Sequence, residues 1–183
     1  MILIYGKSHI LGNTLTILTT NRLILRTFKN TDIDTLYKDI FNCSDVVKYT
    51  FGNENFTYEQ TKDFINKNCN FKDKIGLSII EKKDTSEIIG LGGVLQCNYL
   101  DDVDYEIGFI LSKKFWKQGF AKEIGQAQID FIKDEFKAKR ALALVDTNNN
   151  ASINTIKSLG FDYLKNIKTS DSRKQRDVYI LKF

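Results

Sequence analysis

The spacing of apolar residues changes several times along the chain, and each change marks a different element. Arg22-Leu23-Ile24-Leu25-Arg26-Thr27-Phe28 alternates polar and apolar positions, the pattern of a strand with one buried face. Asn30-Thr31-Asp32 opens a helix, with Thr31 and Asp34 spaced as a variant capping box. Ile33, Leu36, Tyr37, Ile40 and Phe41 then form one apolar face. A second helix starts near Thr57, has Gln60 three residues on, and carries Phe64 and Ile65.

The middle of the chain reads as strands: 75–81, a turn at Asp84-Thr85-Ser86, a returning strand 87–97, then 104–111 after the turn at Asp101-Asp102. Gly90, Gly92 and Gly93 predict a bulge or a close approach of two backbones. The period then becomes helical through Phe120, Ile124, Ala127, Phe131 and Ile132, which predicts a helix over 119–136. The run 140–145 is apolar throughout, as in a strand buried on both faces. Asn148 to Asn150 cap a further helix holding Ile153, Ile156 and Leu159, and Gly160 ends it. Two strands, 161–167 and 177–183, close the chain.

Strand, two helices, three strands, helix, strand, helix and two strands make an α+β protein. Its mixed sheet has one β-α-β crossover. Residues 19–183 read as a single domain, with 1–18 as an N-terminal arm or edge strand.

Composition narrows the function classes. At 183 residues, with 42% hydrophobic and 27% charged residues, the chain has the proportions of a soluble globular protein. Proline is absent, so sharp turns fall to Gly, Asn and Asp. The net charge of +4 is dispersed, without the basic stripe of a nucleic-acid binder. The stretch from Ser8 to Asn21 is too short and too polar to span a membrane, and the start lacks the pattern of a signal peptide. A cytoplasmic protein is the expectation. Cys43, Cys69 and Cys97 stand in no metal or redox spacing, and His9 is the single histidine, so no metal site or Ser-His-Asp arrangement is expected.

Two segments carry candidate chemistry. Phe115-Trp116-Lys117-Gln118-Gly119-Phe120-Ala121-Lys122-Glu123 lies between a strand and a helix start. Backbone N–H groups there have no internal partner and favour a phosphate, and Gly119 permits close approach; an ordinary strand-to-helix turn is the alternative. Asp146-Thr147-Asn148-Asn149-Asn150-Ala151-Ser152 lies at the C-terminal end of the next strand, where ligands of such sheets bind. Its Asn and Ser residues are equally good helix caps.

Together with "TNRLILRTF", "YEIGFIL", "FWKQGFAKE" and "NNNASINTIKSLGF", these segments make the chain from Arg22 onward resemble the GCN5-related N-acetyltransferases. It is most similar to the branch that acetylates ribosomal-protein N-termini. The resemblance implies a mostly antiparallel sheet of about six or seven strands with helices on both faces. A central parallel pair splays apart to admit acetyl-CoA, and a bulge within 105–111 is a plausible cause. It implies acetyl transfer from acetyl-CoA to a primary amine, either a protein N-terminus or a small molecule such as a polyamine, an amino acid or an aminoglycoside. A non-catalytic acyl-CoA-binding module is a further possibility. Monomer and homodimer both stay open.

By the same resemblance, amides of Lys117, Gln118, Gly119, Phe120, Ala121 and Lys122 would hold the pyrophosphate, and Phe109, Ile110 and Leu111 would pair with the pantetheine arm. Trp116 stands where Gln or Arg is usual, and Lys117 where the branch commonly has Gly. Asn149 and Ser152 match an Asn-x-x-Ser that lies along the cofactor. An oxyanion contact would come from an N–H near Ile110 or Leu111. Glu106 is the candidate base, with Asp104 two residues earlier as its substitute; a solvent-facing partner for a lysine is the alternative role. Ser152 is the candidate proton donor, because Ile156 occupies the position where many relatives have a tyrosine. Asp101, Asp102, Asp104 and Glu106 lean slightly toward a polycationic acceptor. Phe41, Tyr49, Phe51 and Phe56 surround the connection that covers the acceptor groove in relatives, and 43–58 and 171–176 would set acceptor specificity.

Overall fold

The alternating and apolar runs pair into one eight-stranded sheet. Its strands are β1 (Thr16–Thr19), β2 (Leu23–Arg26), β3 (Ser78–Lys82), β4 (Ile88–Cys97), β5 (Asp104–Leu111), β6 (Arg140–Asp146), β7 (Asp162–Lys168) and β8 (Gln175–Lys182). They lie in the order β1-β2-β3-β4-β5-β6-β8-β7, antiparallel throughout except for β5 and β6. The computed structural model describes residues 14–51, 54–100, 102–169 and 175–183. His9, Asp101 and most of the 1–18 and 171–176 segments lie outside them.

The sheet has eight strands where six or seven were expected. The addition is β1, a four-residue edge strand paired to β2. It is short and half-exposed, so its pattern carries little signal.

Alternation sends neighbouring side chains to opposite faces. Ile79 packs with Leu36, Phe41 and Ile65 under α1 (Ile33–Leu36), α2 (Ser44–Val47) and α3 (Tyr58–Asn68). Ile80 packs with Phe120 and Ile124 of α4 (Phe120–Phe136). Further along that second face, Ile129 and Ile132 of α4 and Ile156 of α5 (Asn150–Ser158) cover Val94, Ile107, Ala141 and Ala143. The close seam between α4 and α5 needs Gly125, where an added Cβ would lie 2.7 Å from Leu159 Cδ1.

The Thr57–Gln60 capping box forms with both reciprocal bonds, at 2.7 and 3.2 Å. The variant box at Thr31 and Asp34 does not. Asp32 does that work instead: its carboxylate accepts from Lys29 N–H at 2.9 Å and from two nitrogens of the buried Arg26 at 2.8 and 2.9 Å. Arg26 also reaches Glu81 at 2.7 Å. A local capping bond to Lys29 N–H and the ion pair with Arg26 together start this helix, which passes into a π-turn at Tyr37–Phe41.

Candidate active site

β5 has two unlike edges. Toward β4 it pairs residue for residue over its whole length, from Asp104↔Cys97 to Leu111↔Gly90. Toward β6 it has one register pair, Glu106↔Leu142. Beyond Glu106 the register pairing of the parallel strands ends, which makes the space between their C-terminal ends the candidate cleft. The expected bulge within 105–111 is not its cause, because no residue is inserted in β5 against β4. Two residues past the last pair, the fully buried Gln128 of α4 accepts from Gly108 N–H at 3.0 Å and donates to Gly108 O at 3.1 Å. Sequence reading missed Gln128. The available signal was a polar residue on the apolar stripe Ile124-Gln128-Ile132.

The glycines of β4 explain how tightly the other edge fits. A Cβ at Gly90 would fall 2.0 Å from Ile110 O, and one at Gly92 would fall 2.8 Å from Gly108 O; on the other side of β4, one at Gly93 would fall 2.1 Å from Gly76 O. The close backbone approach expected there is present, as is a register shift between β3 and β4.

Glu106 sits at the root of the cleft and is only 6% exposed. It is thus a buried carboxylate, not a solvent-facing one. Asp104 cannot substitute for it: Arg140 donates to both its oxygens, at 2.6 and 2.9 Å. Arg140 also reaches Asp102 at 3.4 Å. Cys97, beside this group, has its thiol pushed up to about 12, first by burial and then by the Glu106 and Asp104 carboxylates. It stays protonated and unreactive.

The segment after β5 is held at several points. Trp116 donates its indole N–H to Leu111 O at 2.8 Å, which removes that carbonyl from the bonds expected for a pantetheine arm. Gln118 Nε2 bonds Lys114 O at 2.8 Å. Lys117 takes φ +60° and Gly119 φ +82°. The first of these is a glycine-like conformation borne by a lysine, which accounts for the glycine common at this position in the resembling branch.

The α4 ladder opens with Glu123 N–H to Gly119 O, at 3.1 Å. The N–H groups of Phe120, Ala121 and Lys122 therefore have no intrahelical acceptor, which suits an anion at this end. The loop leaves room for one, since a Cβ at Gly119 would meet only Arg22 Nη2, at 3.4 Å. An acidic residue in this first turn would oppose an anion, but Glu123 is neutralised. Its oxygens accept from Thr20 hydroxyl at 2.6 Å, Arg22 N–H at 2.8 Å and Arg22 Nε at 2.6 Å. Burial alone would raise its pKa, yet these bonds prevail and hold it below the ordinary 4.5. Arg22 also stacks 4.2 Å over Phe120 and bonds Gln118 O at 3.1 Å, tying the β1–β2 turn to this loop.

Because β5 and β6 are parallel, the start of α5 follows β6 at the same end of the sheet as this loop. Asn149 caps α5, its Oδ1 accepting from Ser152 N–H at 3.1 Å, so the cap role is filled. Arg176 donates to Asp146 at the end of β6 and to Tyr49 O at 3.2 Å, which joins the 43–58 connection to the cleft mouth. Phe41, Phe51, Phe56 and Phe64 stack on one another with centroids 5.0–5.8 Å apart, and Phe41 is fully buried. Phe41 belongs to the core, and Phe51, Phe56 and Phe64 are partly buried against it. Among the described residues no group of His, Cys, Asp and Glu could hold a metal, and no helix is long and apolar enough to cross a membrane.

Residues 22–162 match the family profile described as an acetyltransferase (GNAT) domain. The chain is 32% identical to the uncharacterised protein YkkB of Bacillus subtilis, over 85% of this chain and 91% of that one. A GNAT-family acetyltransferase structure from Bacillus anthracis superposes with a TM-score of 0.74 at 24% identity, covering 90% of this chain and 96% of that chain. RimL, titled a ribosomal L7/L12 α-N-protein acetyltransferase in complex with coenzyme A, superposes with a TM-score of 0.69 at 14% identity, covering 92% and 98%.

Proposed function

The chain belongs to the GNAT acetyltransferase family and is an acetyl-CoA-dependent N-acetyltransferase; from that premise we propose that its acceptor is the amine of a protein N-terminus. The observation that carries this reading is the buried Glu106 at the point where β5–β6 pairing ends. Arg140 neutralises Asp104, which weakens the case for a polyamine.

Three sets of residues take parts in this reading. Amides from Lys117 to Lys122 bind the pyrophosphate of acetyl-CoA, favoured by the helix N-terminus and the neutralised Glu123. Backbone groups of Phe109, Ile110 and the N–H of Leu111 pair with the pantetheine arm as an added strand would. Asn149 and Ser152 flank it from the start of α5. Residues 19–183 form the acetyltransferase domain, and residues 16–18 begin the edge strand β1 of its sheet.

The chemistry follows from side-by-side binding. The acceptor arrives as an ammonium ion and loses a proton to Glu106. The neutral amine attacks the thioester carbonyl; the C–N bond forms, the C–S bond breaks, and the second proton shed by the acetylated nitrogen passes through the Ser152 hydroxyl to the CoA thiolate, so that the serine ends neutral. An N–H near Ile110 or Leu111 stabilises the carbonyl oxygen as charge develops on it.

Calorimetry with acetyl-CoA tests the cofactor site, using wild type and Gly119→Trp, whose indole would fill the loop. Binding by wild type and loss in the variant are expected. A panel of amines then tests the acceptor. Turnover with peptides bearing free Ser or Ala N-termini, and none with spermidine or an aminoglycoside, is the predicted pattern. The reverse pattern replaces the acceptor, and thioester binding without turnover on any amine makes the chain a binding module.

A further inference from the structure

Gln128 is an oddity by composition and by place. It is fully buried on the α4 face that otherwise carries Ile124, Ile129 and Ile132, yet its carboxamide is satisfied. Both bonds go to one residue, Gly108, whose N–H it accepts and whose carbonyl it donates to. A side-chain amide thus makes the donor–acceptor pair that a strand peptide makes. Gly92 and Gly108 clear its path. A Cβ at Gly92 would stand 3.3 Å from Gln128 Nε2 and 2.8 Å from Gly108 O.

The position matters more than the bonds. Gly108 lies two residues past Glu106, where β6 leaves β5, and immediately before Phe109-Ile110-Leu111. A strand released from one neighbour offers unpaired backbone groups to a ligand, but it also gains freedom to twist and must be held in shape. At that point α4 supplies a rigid anchor, since it packs along the sheet through Ile124 and Ile132.

We propose that Gln128 is a positioning residue for acetyl transfer. By holding Gly108 through both backbone groups, it sets the orientation of the strand segment that receives the pantetheine arm. The inference rests on the acetyl-CoA reading above. It assigns to α4 two separate duties: its first turn faces the pyrophosphate, and its third turn steadies the pantetheine strand.

The test uses Gln128→Met, which keeps length and volume, and Gln128→Asn, which keeps the amide one methylene short of Gly108. Ile132→Val on the same helix controls for lost stability. Each protein is titrated with acetyl-CoA and with 3′-phospho-ADP, the part of CoA that lacks pantetheine, at a temperature where it is folded by near-ultraviolet circular dichroism. Loss of two hydrogen bonds predicts acetyl-CoA binding weaker by about tenfold in both Gln128 variants, with 3′-phospho-ADP affinity held within about twofold. Ile132→Val should leave both ligands unaffected. Equal weakening for the two ligands, or acetyl-CoA affinity unchanged, overturns the proposal. If Gln128→Met does not fold, Gln128→Asn is judged by the same criterion, and failure of both to fold makes Gln128 structural and also overturns it. Absence of acetyl-CoA binding by wild type is a different result, since it sinks the cofactor site itself.

Discussion

The two edges of β5 are built on opposite rules. The β4 edge is paired at all eight positions and fits so closely that a Cβ at Gly90 or Gly92 would meet the β5 backbone, at Ile110 O and Gly108 O. The β6 edge is paired once, at Glu106↔Leu142, and then opens. The first edge makes the second one possible. A strand that must offer its backbone to a ligand needs an unpaired edge, and an unpaired strand in a core would fray. Steric locking on the β4 side, with Gln128 above Gly108, keeps the open edge in one shape.

Breaking the open side should show in rate. Glu106→Gln keeps the shape of the side chain and removes its basicity, so kcat is expected to fall about 10²–10⁴-fold while acetyl-CoA binding by calorimetry stays near wild type. An unchanged kcat would remove Glu106 from the chemistry.

Breaking the closed side should show in stability. Gly90→Ala puts a Cβ about where Ile110 O now lies. A loss of about 3 kcal/mol in urea denaturation is expected, at the upper end for overpacking because the opposing atom belongs to the backbone. A loss confined to acetyl-CoA binding would show that the β4 edge can yield.

Glu123→Gln probes how the loop beyond β5 is held. The native pKa of Glu123 lies below its ordinary 4.5, so the carboxylate stabilises the fold above that pH, and the contribution is lost as pH falls through the lowered native value. The stability gap between wild type and variant should be about 1–2 kcal/mol at neutral pH and should close below 4.5. A gap that persists in acid would mean that shape, not charge, matters there.

The smallest effect is expected at Lys117, which bears φ +60°. Lys117→Gly removes a left-handed strain of about 1 kcal/mol, partly offset by the freedom glycine gains when unfolded, so the melting temperature should rise by no more than a few degrees.

Much of the framework was legible in the sequence. The 104–111 strand, the 140–146 strand and the α4 helix are where the period of the apolar residues put them, because alternation and the helical repeat are local consequences of burial on one face. The Thr57–Gln60 box and the Gly160 terminus were equally readable, since both depend on residues within one turn of each other. For β1 the sequence left an arm and an edge strand both open, four residues being too few to show a period, and the start of α1 was misplaced by one residue, because Asp32 holds both Lys29 N–H and Arg26 of the neighbouring strand.

The division holds at the site. The sequence by itself determined that a strand carrying Glu106 runs into a glycine-bearing loop and a helix, and that Asn149 and Ser152 open the next helix, because these are neighbours along the chain. Only the tertiary structure decided that Asp104 belongs to Arg140, that Glu123 is neutralised by Thr20 and Arg22, and that Gln128 reaches Gly108. Each of those contacts joins residues 20 to 103 positions apart. Whether a charge or an amide finds such a partner depends on how the sheet and helices pack, and no local spacing encodes it.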